Sequence, residues 1–314
     1  MKWIVKKAAA MILTLFFVSI IMFFAFEVIA GNSMISKLGM DASPEQIAAI
    51  EEEYGLNKSL PERYVDWLAH AIQGDFGTSY QYNTSVKELV ADRMEVTAGL
   101  GLISIVLILV ISVPLGIFIA QHEGSAWDRA ISSLNQVFMA IPHFFLGMVI
   151  CLLFGLTFRW FTPGAYVPFE RDPSGYFAYM IFPAVAIAIP KISMVVKFLK
   201  TSVVRQLKMD YVRTAKGKGS SQGRILYGHV LKNALIPVIT FLAMVIAEVL
   251  AGSIVLEPVF SIPGLGRLLV VSVSNRDYPV VQVIVLYIAA IVIVMNGIVD
   301  ILYQVLDPRV KETV

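Results

Sequence analysis

Charged residues are scarce in this chain of 314 residues. Asp, Glu, Lys and Arg make up 15% of the sequence, whereas a soluble domain carries about 25%. Hydrophobic residues make up 57%, and the mean hydropathy is +0.75. A water-soluble globule of this length needs more charged side chains to cover its surface. The composition therefore excludes a soluble domain and indicates a membrane protein with several spans.

Cysteine, histidine and the short motifs of catalysis are also scarce. The single cysteine, Cys151, has no partner for an intrachain disulfide. The four histidines form no HExxH motif and no plausible Ser-His-Asp set, and CxxC is absent. Gly217-Lys218 does not belong to a phosphate-binding loop, because Val212 stands where the first glycine is required. We therefore expect no enzyme activity, no metal site and no cofactor bound by the chain itself.

Six apolar stretches are long enough to cross a hydrocarbon core, which takes about 20 helical residues. They run at about 8–30, 96–120, 131–158, 176–199, 235–255 and 280–306. The first is too long for the apolar part of a cleaved signal peptide, so we interpret it as a spanning helix. The sequence thus predicts an all-α polytopic membrane protein with six transmembrane helices.

The distribution of charge predicts the orientation. Residues 191–232 carry ten of the 25 basic residues and one acid, so this side is predicted to be cytoplasmic. Residues 31–95 carry eleven acids and five bases. An odd number of membrane crossings separates them from residues 191–232, so they are predicted to lie outside. Both termini are then inside. The predicted divisions are 1–30 (N-terminal tip and first helix), 31–95 (external helical segment), 96–306 (five-helix core with a cytoplasmic loop at 200–234) and 307–314 (cytoplasmic tail).

The external segment contains the signals of two short helices. Ser43-Pro44-Glu45-Gln46 is typical of a helix start, and Gly55 is a candidate stop. Ser59 and Glu62 form a predicted capping box before a helix over 61–73, which Gly74 ends. Two interpretations remain open: this segment packs on the bundle, or it helps to dock an external protein that delivers substrate.

The basic loop after the fourth span has its own helical pattern. Apolar residues recur from Ile192 to Tyr211 at steps of three and four, which predicts an amphipathic extension of that span. The pattern breaks at Gly217-Lys218-Gly219, and Ser220 or Ser221 can cap a second short helix. This segment predicts a short rigid element that another protein can contact. Basic residues here also set topology, and lipid headgroups are an alternative ligand.

Three acids lie inside apolar stretches. A charge at the centre of a membrane costs about 2.5 kcal/mol or more unless it faces protein or water. Glu248 lies mid-span, whereas Glu27 and Asp300 lie near span ends, where they can pair or reach the interface. These acids and His143 are candidates for a translocation pathway, with a structural role in helix contacts as the alternative for each.

The sequence resembles one transporter family at many positions. Tyr211-Val212-Arg213-Thr214-Ala215-Lys216-Gly217-Lys218-Gly219, followed by His229 and Asn233-Ala234-Leu235-Ile236-Pro237, is similar to the cytoplasmic EAA loop of ABC importer permeases, in the form typical of the dipeptide, oligopeptide and nickel branch. Further matches in that branch's order are Tyr54-Gly55-Leu56-Asn57, Gly74-Asp75-Phe76-Gly77-Thr78-Ser79, Pro114-Leu115-Gly116, Ile262-Pro263-Gly264-Leu265-Gly266-Arg267, Arg276-Asp277-Tyr278-Pro279-Val280-Val281-Gln282 and Asp307-Pro308-Arg309. Arg213-Thr214-Ala215 stands where the generic loop begins Glu-Ala-Ala.

This resemblance implies a type I ABC importer permease fold, with the chain as the first of two permeases. It implies a second permease in a heterodimer, two cytoplasmic ABC ATPases that bind ATP, an external binding protein and the plasma membrane of a bacterium or archaeon. The implied ATPase-coupling loop contains Asp210, Tyr211, Arg213, Thr214, Ala215, Lys216, Gly217, Gly219, Ser220, Ser221 and Gly223. Short peptides are the expected substrate. A nickel or metal-chelate importer is the alternative, and an ion-coupled secondary transporter is a more distant one.

Overall fold

The computed structural model describes residues 2–30 and 57–306. Within these ranges the chain forms α-helices and two short π-helical segments, with no β-strand. Among the described residues, five helices are long and apolar enough to cross a membrane, or six if one bent pair counts as a single span. The prediction of an all-α membrane protein with several spans is confirmed.

The helices are numbered here in chain order. They are α1 (Lys2–Ala30), α2 (Leu60–Ile72), α3 (Val86–Gln121), α4 (Ala126–Ala140), α5 (His143–Ile150), α6 (Pro173–Leu207), α7 (Asp210–Gly217), α8 (Gln222–Ile225), α9 (Leu231–Phe260), α10 (Leu265–Ser274) and α11 (Tyr278–Leu306). The π-helical segment Cys151–Thr157 extends α5, and the π-helical segment Leu226–Val230 precedes α9.

The described residues divide into two compact units. The first contains the described residues up to Val96 together with Gly264–Ile293, and the second contains Thr97–Pro263 and the residues from Val294 onward. The core of the first unit joins the start of α3 to α10 and α11. Its buried members are Val86, Val90, Leu265, Leu268, Val280, Val283 and Ile284.

Helix α2 packs on α1 in the first unit. The predicted capping box is present: Ser59 N donates to Glu62 Oε2 at 2.9 Å, and Ser59 Oγ lies 2.8 Å from the same oxygen. Tyr64 is buried against α1, where its hydroxyl lies 2.9 Å from Ser19 Oγ. Leu60 and Ile72, at the two ends of α2, are exposed, so the helix buries an apolar side chain only in its middle. The predicted helix that begins near Ser43 lies outside the described residues.

Helices α6 and α9 run antiparallel through the second unit. Asp172 caps α6 by accepting a hydrogen bond from Ser174 N at 3.0 Å, and Pro173 occupies the first helical position. At 35 residues, α6 is about 52 Å long and exceeds the thickness of a hydrocarbon core. The contacts that pair the two helices are, in order, Ser202 with Ala234, Phe198 with Phe241, Lys191 with Glu248 and Tyr179 with Phe260.

The predicted third span at 131–158 is not one helix. It consists of α4 and the α5 segment, bent by 97° at a short break. Proline explains the break, because Pro142 has no N–H and disfavours a helical conformation in the residue before it. Ile141 accordingly has φ −84° and ψ 121°, which is extended backbone. The single-helix prediction was wrong at this position.

The amphipathic extension of the fourth span is also interrupted. Helix α6 continues beyond residue 199 as predicted, but it ends at Leu207, and Tyr211 belongs to the separate helix α7. The end is a tight turn in which Lys208 N donates to Arg205 O at 3.3 Å. The apolar periodicity continues across this turn because α6 and α7 bury apolar residues in the same cluster. Periodicity by itself therefore does not locate the end of α6.

Candidate functional site

Helices α7 and α8 form the basic segment after α6. Asp210, Tyr211, Arg213, Thr214, Ala215, Lys216 and Gly217 all lie in α7, Gly219 and Ser220 lie in the connection, and Gly223 lies in α8. Ser221 is the N-cap of α8 and accepts from Arg224 N at 3.4 Å. The predicted arrangement of helix, glycine break and second capped helix is therefore present. We call residues 210–225, which comprise α7, the connection and α8, the basic segment.

Gly219 determines how α7 ends. Its φ is +79°, a left-handed conformation that side chains with a Cβ rarely adopt. Gly219 N donates to Lys216 O at 3.0 Å, and Ser220 N donates to Ala215 O at 3.2 Å. This pair of bonds is the Schellman arrangement, which satisfies carbonyls at the helix end. The chain turns sharply here, so the direction of α8 depends on this one residue.

One side of the basic segment is attached to the spanning helices. Val212 of α7 is 1% exposed and lies in an apolar cluster with residues of α3, α6, α8 and α9. The other buried members are Ile117, Ala120, Leu199, Val203, Ile225, Leu226, Val230, Ala234 and Val238. Because the cluster also contains residues of α3, α6 and α9, α7 shares one apolar core with three long helices.

The other side of the basic segment faces away from the protein. The side chains of Asp210 and Arg213 are 97% and 83% exposed, and their ion pair at 3.8 Å contributes little to stability. Lys216, Lys218 and Arg224 are also exposed. The segment therefore has an apolar side buried in the bundle and a charged side available to a partner.

Two ion pairs hold the neighbouring helix ends together. Lys200 of α6 pairs with Asp128 of α4, which also accepts from Ser132 Oγ at 3.0 Å. Beyond the end of α6, Lys208 Nζ lies 3.0 Å from Glu123 Oε1 on the turn before α4. Removing one partner from a buried ion pair lowers the stability of the fold by more than the intact pair raises it, because the remaining charge is left buried and unpaired. Asp128 and Lys200 therefore each require the other. The sequence reasoning missed both pairs, because it treated these lysines only as topology signals.

Glu248, the mid-span candidate, pairs with Lys191. The two side chains are 52% and 19% exposed in the isolated chain. Lys191 lies between Ser202 and Tyr179, the α6 residues at the two ends of the contact with α9. At 1.5 Å per residue along α6, Lys191 is about 17 Å from Ser202 and about 18 Å from Tyr179. The ion pair is therefore at mid-length of the two helices.

An exposed carboxylate at mid-span restricts what this face can contact. Placing a charge against lipid at this depth costs about 2.5–3.5 kcal/mol on insertion scales. Half of the Glu248 side chain is uncovered by the chain itself. The face of α6 and α9 that carries the pair therefore requires water or another protein chain beside it.

His143 lies close to this pair. It is the first residue of α5, and its Nε2 is buried 3.8 Å from the position that a Cβ on Gly252 of α9 would occupy. The described residues supply no hydrogen-bond partner to this nitrogen. Gly252 lies one helical turn after Glu248 on α9. The structure thus brings His143, Lys191 and Glu248 into one region.

The remaining pathway candidates, Glu27 and Asp300, lie on other helices. Glu27 lies in α1, and its side chain is outside the described part of the structure. Asp300 is partly buried in α11, and other groups interact with it.

Two buried carboxylates were missed by the sequence reasoning. Glu257 of α9 is fully buried and accepts from Thr97 Oγ1 at 2.6 Å. Asp277 is also fully buried, and it accepts from Ser79 Oγ at 2.5 Å and from Tyr80 N at 3.0 Å. Asp277 thereby fixes the turn before α3 to the turn before α11. Glu257 adjoins Pro258 within an apolar stretch, and that position was the available signal.

Comparison with known proteins gives full-length relatives. The oligopeptide transport system permease protein AppB of Bacillus subtilis is 33% identical over 312 residues, which is 98% of this chain and 99% of the relative. The oligopeptide transport system permease protein OppB of Haemophilus influenzae is 32% identical over 312 residues, or 99% of each. The probable peptide ABC transporter permease protein y4tP of Sinorhizobium fredii is 30% identical over 309 residues, which is 98% of this chain and 99% of the relative.

Two family models together match almost the whole chain. The model described as "Binding-prot-dependent transport system membrane comp, N-term" matches residues 1–101. The model described as "Binding-protein-dependent transport system inner membrane component" matches residues 112–312, which include the basic segment and the pair of Lys191 with Glu248. The chain therefore belongs to the family of inner membrane components of binding-protein-dependent transport systems.

Proposed function

We propose that this chain is a permease subunit of an ATP-binding-cassette importer for short peptides. The observation that carries this proposal is the full-length similarity to permeases named for peptide or oligopeptide transport. Family membership argues against an ion-coupled secondary transporter. It also supports a transport subunit rather than an enzyme, because the family consists of membrane components.

The basic segment is the proposed contact with the ATPases. Its exposed charged side is available to a partner, and the burial of Val212 connects it to three long helices. A movement that follows ATP binding in a partner chain would reach the bundle through this cluster. ATP itself binds to the two partner ATPases. The chain lies in the plasma membrane of a bacterium or archaeon, with both termini and the basic segment in the cytoplasm.

The proposed passage runs along the face of α6 and α9 that carries Lys191 and Glu248. Two permeases enclose it, and the second permease is a different chain. This arrangement supplies the water or protein that the exposed carboxylate of Glu248 requires at mid-span. An external binding protein delivers the peptide on the side opposite the basic segment, and the external helical segment that includes α2 helps to dock it.

The alternative substrate is nickel or a nickel chelate. A bare-metal route requires imidazole, thiolate or carboxylate ligands that converge on one ion. Within the described residues, no group of three or more such side chains is placed to hold a metal ion. A peptide requires no such group, because its backbone and charged ends can be recognised by single polar residues along a wide passage.

Uptake by the cell of origin tests the proposal. A strain without this chain, the parent strain and a strain with the chain restored are each given radiolabelled dipeptides and tripeptides and, separately, radioactive nickel. We expect the deletion to reduce peptide uptake by at least tenfold, restoration to recover it, and nickel uptake to stay unchanged. Loss of nickel uptake with normal peptide uptake in the deletion strain would contradict the proposal and favour the alternative.

A further inference from the structure

The pair of Lys191 with Glu248 has two properties that suit a site whose charges exchange partners. It is unequally covered, with Glu248 half exposed and Lys191 largely buried. It also has opposite charges on two different helices, so a movement of α6 against α9 can separate them. We propose that this pair is a transient binding site for the two charged ends of a short peptide. The inference rests on the proposed function and names the part of the substrate that is recognised.

The exchange of partners is balanced in charge. A peptide with free ends carries one ammonium and one carboxylate group. When it enters, the bond between Lys191 and Glu248 breaks, the peptide carboxylate pairs with the lysine, and the peptide ammonium pairs with the glutamate. One ion pair is replaced by two, and the net charge within the membrane stays zero. Neither protein charge is left unpaired, which is the costly condition at this depth.

The dimensions favour short peptides. An extended chain spans about 3.5 Å per residue, so a dipeptide is about 7 Å long and a tripeptide about 10 Å. Lysine carries its charge on a flexible four-carbon stem, which allows Lys191 to move away from Glu248 by a distance of this order. Both ends of a dipeptide or tripeptide can then be bound at once. A longer peptide reaches only one of the two charges in the same region.

The surroundings of Glu248 suit peptides of varied sequence. Met244 and Gly252 lie one helical turn before and after it on α9, and Met244 is 47% exposed. A methionine side chain adapts to partners of different shape. Gly252 has no side chain and leaves His143 as its neighbour. The charged ends of the peptide are therefore recognised, while its side chains meet a permissive surface.

Uptake of end-blocked peptides tests the inference. Cells that carry the complete importer with Glu248→Gln, Lys191→Met or the charge exchange Lys191→Glu/Glu248→Lys are given one labelled tripeptide in three forms: free, N-acetylated and C-amidated. Each variant is compared with the parent, so any selection by the external binding protein is the same throughout. Glu170→Gln, an exposed acid outside the spans, is the matched control.

The two single variants should lose different preferences. In Glu248→Gln, the preference for the free over the N-acetylated peptide should fall at least fivefold, with the preference over the amidated peptide nearly unchanged. In Lys191→Met the opposite pattern is expected, and Glu170→Gln should keep both preferences. Equal loss of uptake for all three forms, or unchanged preferences in both single variants, would overturn the inference and leave a structural pair.

The charge exchange keeps the inference testable if the single variants do not assemble. It retains one positive and one negative group and should take up the free tripeptide at least fivefold better than either blocked form. Equal uptake of blocked and free forms by this variant would overturn the inference. Failure of the proposed function is a separate result, because the parent would then take up none of the three forms.

Discussion

Replacement of Gly219 perturbs one backbone conformation without disturbing the packing of the described residues. A Cβ built on this residue has no heavy atom of the described residues within 4 Å, so it meets no steric obstacle there. The cost arises from the φ of +79°. It is about 1–2 kcal/mol for an ordinary side chain and larger for a β-branched one, whereas asparagine tolerates this region. The free energy of the native turn should therefore rise in the order Gly, Asn, Ala, Val.

The magnitude predicts a graded loss of coupling. A cost of 1–2 kcal/mol lowers the population of the native turn relative to alternatives by about 5–30-fold. We expect Gly219→Ala to weaken binding of the ATPases to the permease by up to this factor. Gly219→Val should abolish ATP-driven peptide uptake, and Gly219→Asn should retain most of it. The assays are ATPase affinity for the purified membrane complex and peptide uptake in reconstituted vesicles.

Gly217 provides a matched control two residues away. It is the last residue of α7 and has no positive φ, and a Cβ added to it also has no heavy atom within 4 Å in the part of the chain that the structure describes. Gly217→Ala should be neutral or slightly stabilising, because alanine favours a helix more than glycine does. Equal damage from Gly217→Ala and Gly219→Ala, or normal uptake with Gly219→Val, would refute the conformational explanation.

Three further predictions concern buried or capping residues. Val212→Ala removes two carbon atoms from the apolar cluster, which lowers the hydrophobic stabilisation by about 1.6 kcal/mol. ATP hydrolysis by the assembled importer should then depend less on the presence of peptide, and an unchanged dependence would contradict the role of the cluster. Asp277→Ala leaves buried hydrogen-bond donors unpaired, which costs about 1–3 kcal/mol of stability for each donor. Thermal unfolding of this variant in detergent should therefore occur at a lower temperature than that of Ser79→Ala. The reverse order would show that the carboxylate does not fix the turn. The hydrogen bond from Ser59 lowers the pKa of Glu62 below its ordinary value of 4.5, so the first turn of α2 gains stability above pH 4.5 that is lost as the pH falls through the lowered pKa. The protection of amides at the start of α2 against hydrogen exchange, taken relative to the rate of an unstructured peptide at each pH, should fall in that acidic range, and an identical protection profile in Ser59→Ala would count against this.

Local signals in the sequence predicted much of the basic segment. The glycine break, the serine cap and the capping box at Ser59 depend on short-range chemistry, which one sequence shows directly. The long helices were also predicted from local sequence, because an apolar run of this length can form few structures other than a membrane-spanning helix. The end of α6 at Leu207 was missed, because the turn has no proline or glycine and the apolar period continues through it.

Contacts between distant residues could not be predicted in the same way. Glu248 was identified from its depth, but its partner Lys191 lies 57 residues away and was interpreted only as a topology signal. Asp277 and Ser79 are 198 residues apart, and nothing in the sequence pairs them. The bend at Pro142 was missed because proline is tolerated in many membrane helices, and tertiary packing decides whether it breaks a span.

The central claim is that the basic segment contacts the ATPases from the cytoplasmic side. A photo-reactive amino acid placed at Lys216, an exposed position of α7, tests it in cells that produce the whole importer. The control position is Arg159, exposed in the loop before α6, which the predicted orientation places outside. Illumination should join the Lys216 variant to an ATPase chain and should join the Arg159 variant to none. Cross-links to an ATPase from Arg159, or none from Lys216 in a functional importer, would contradict the account.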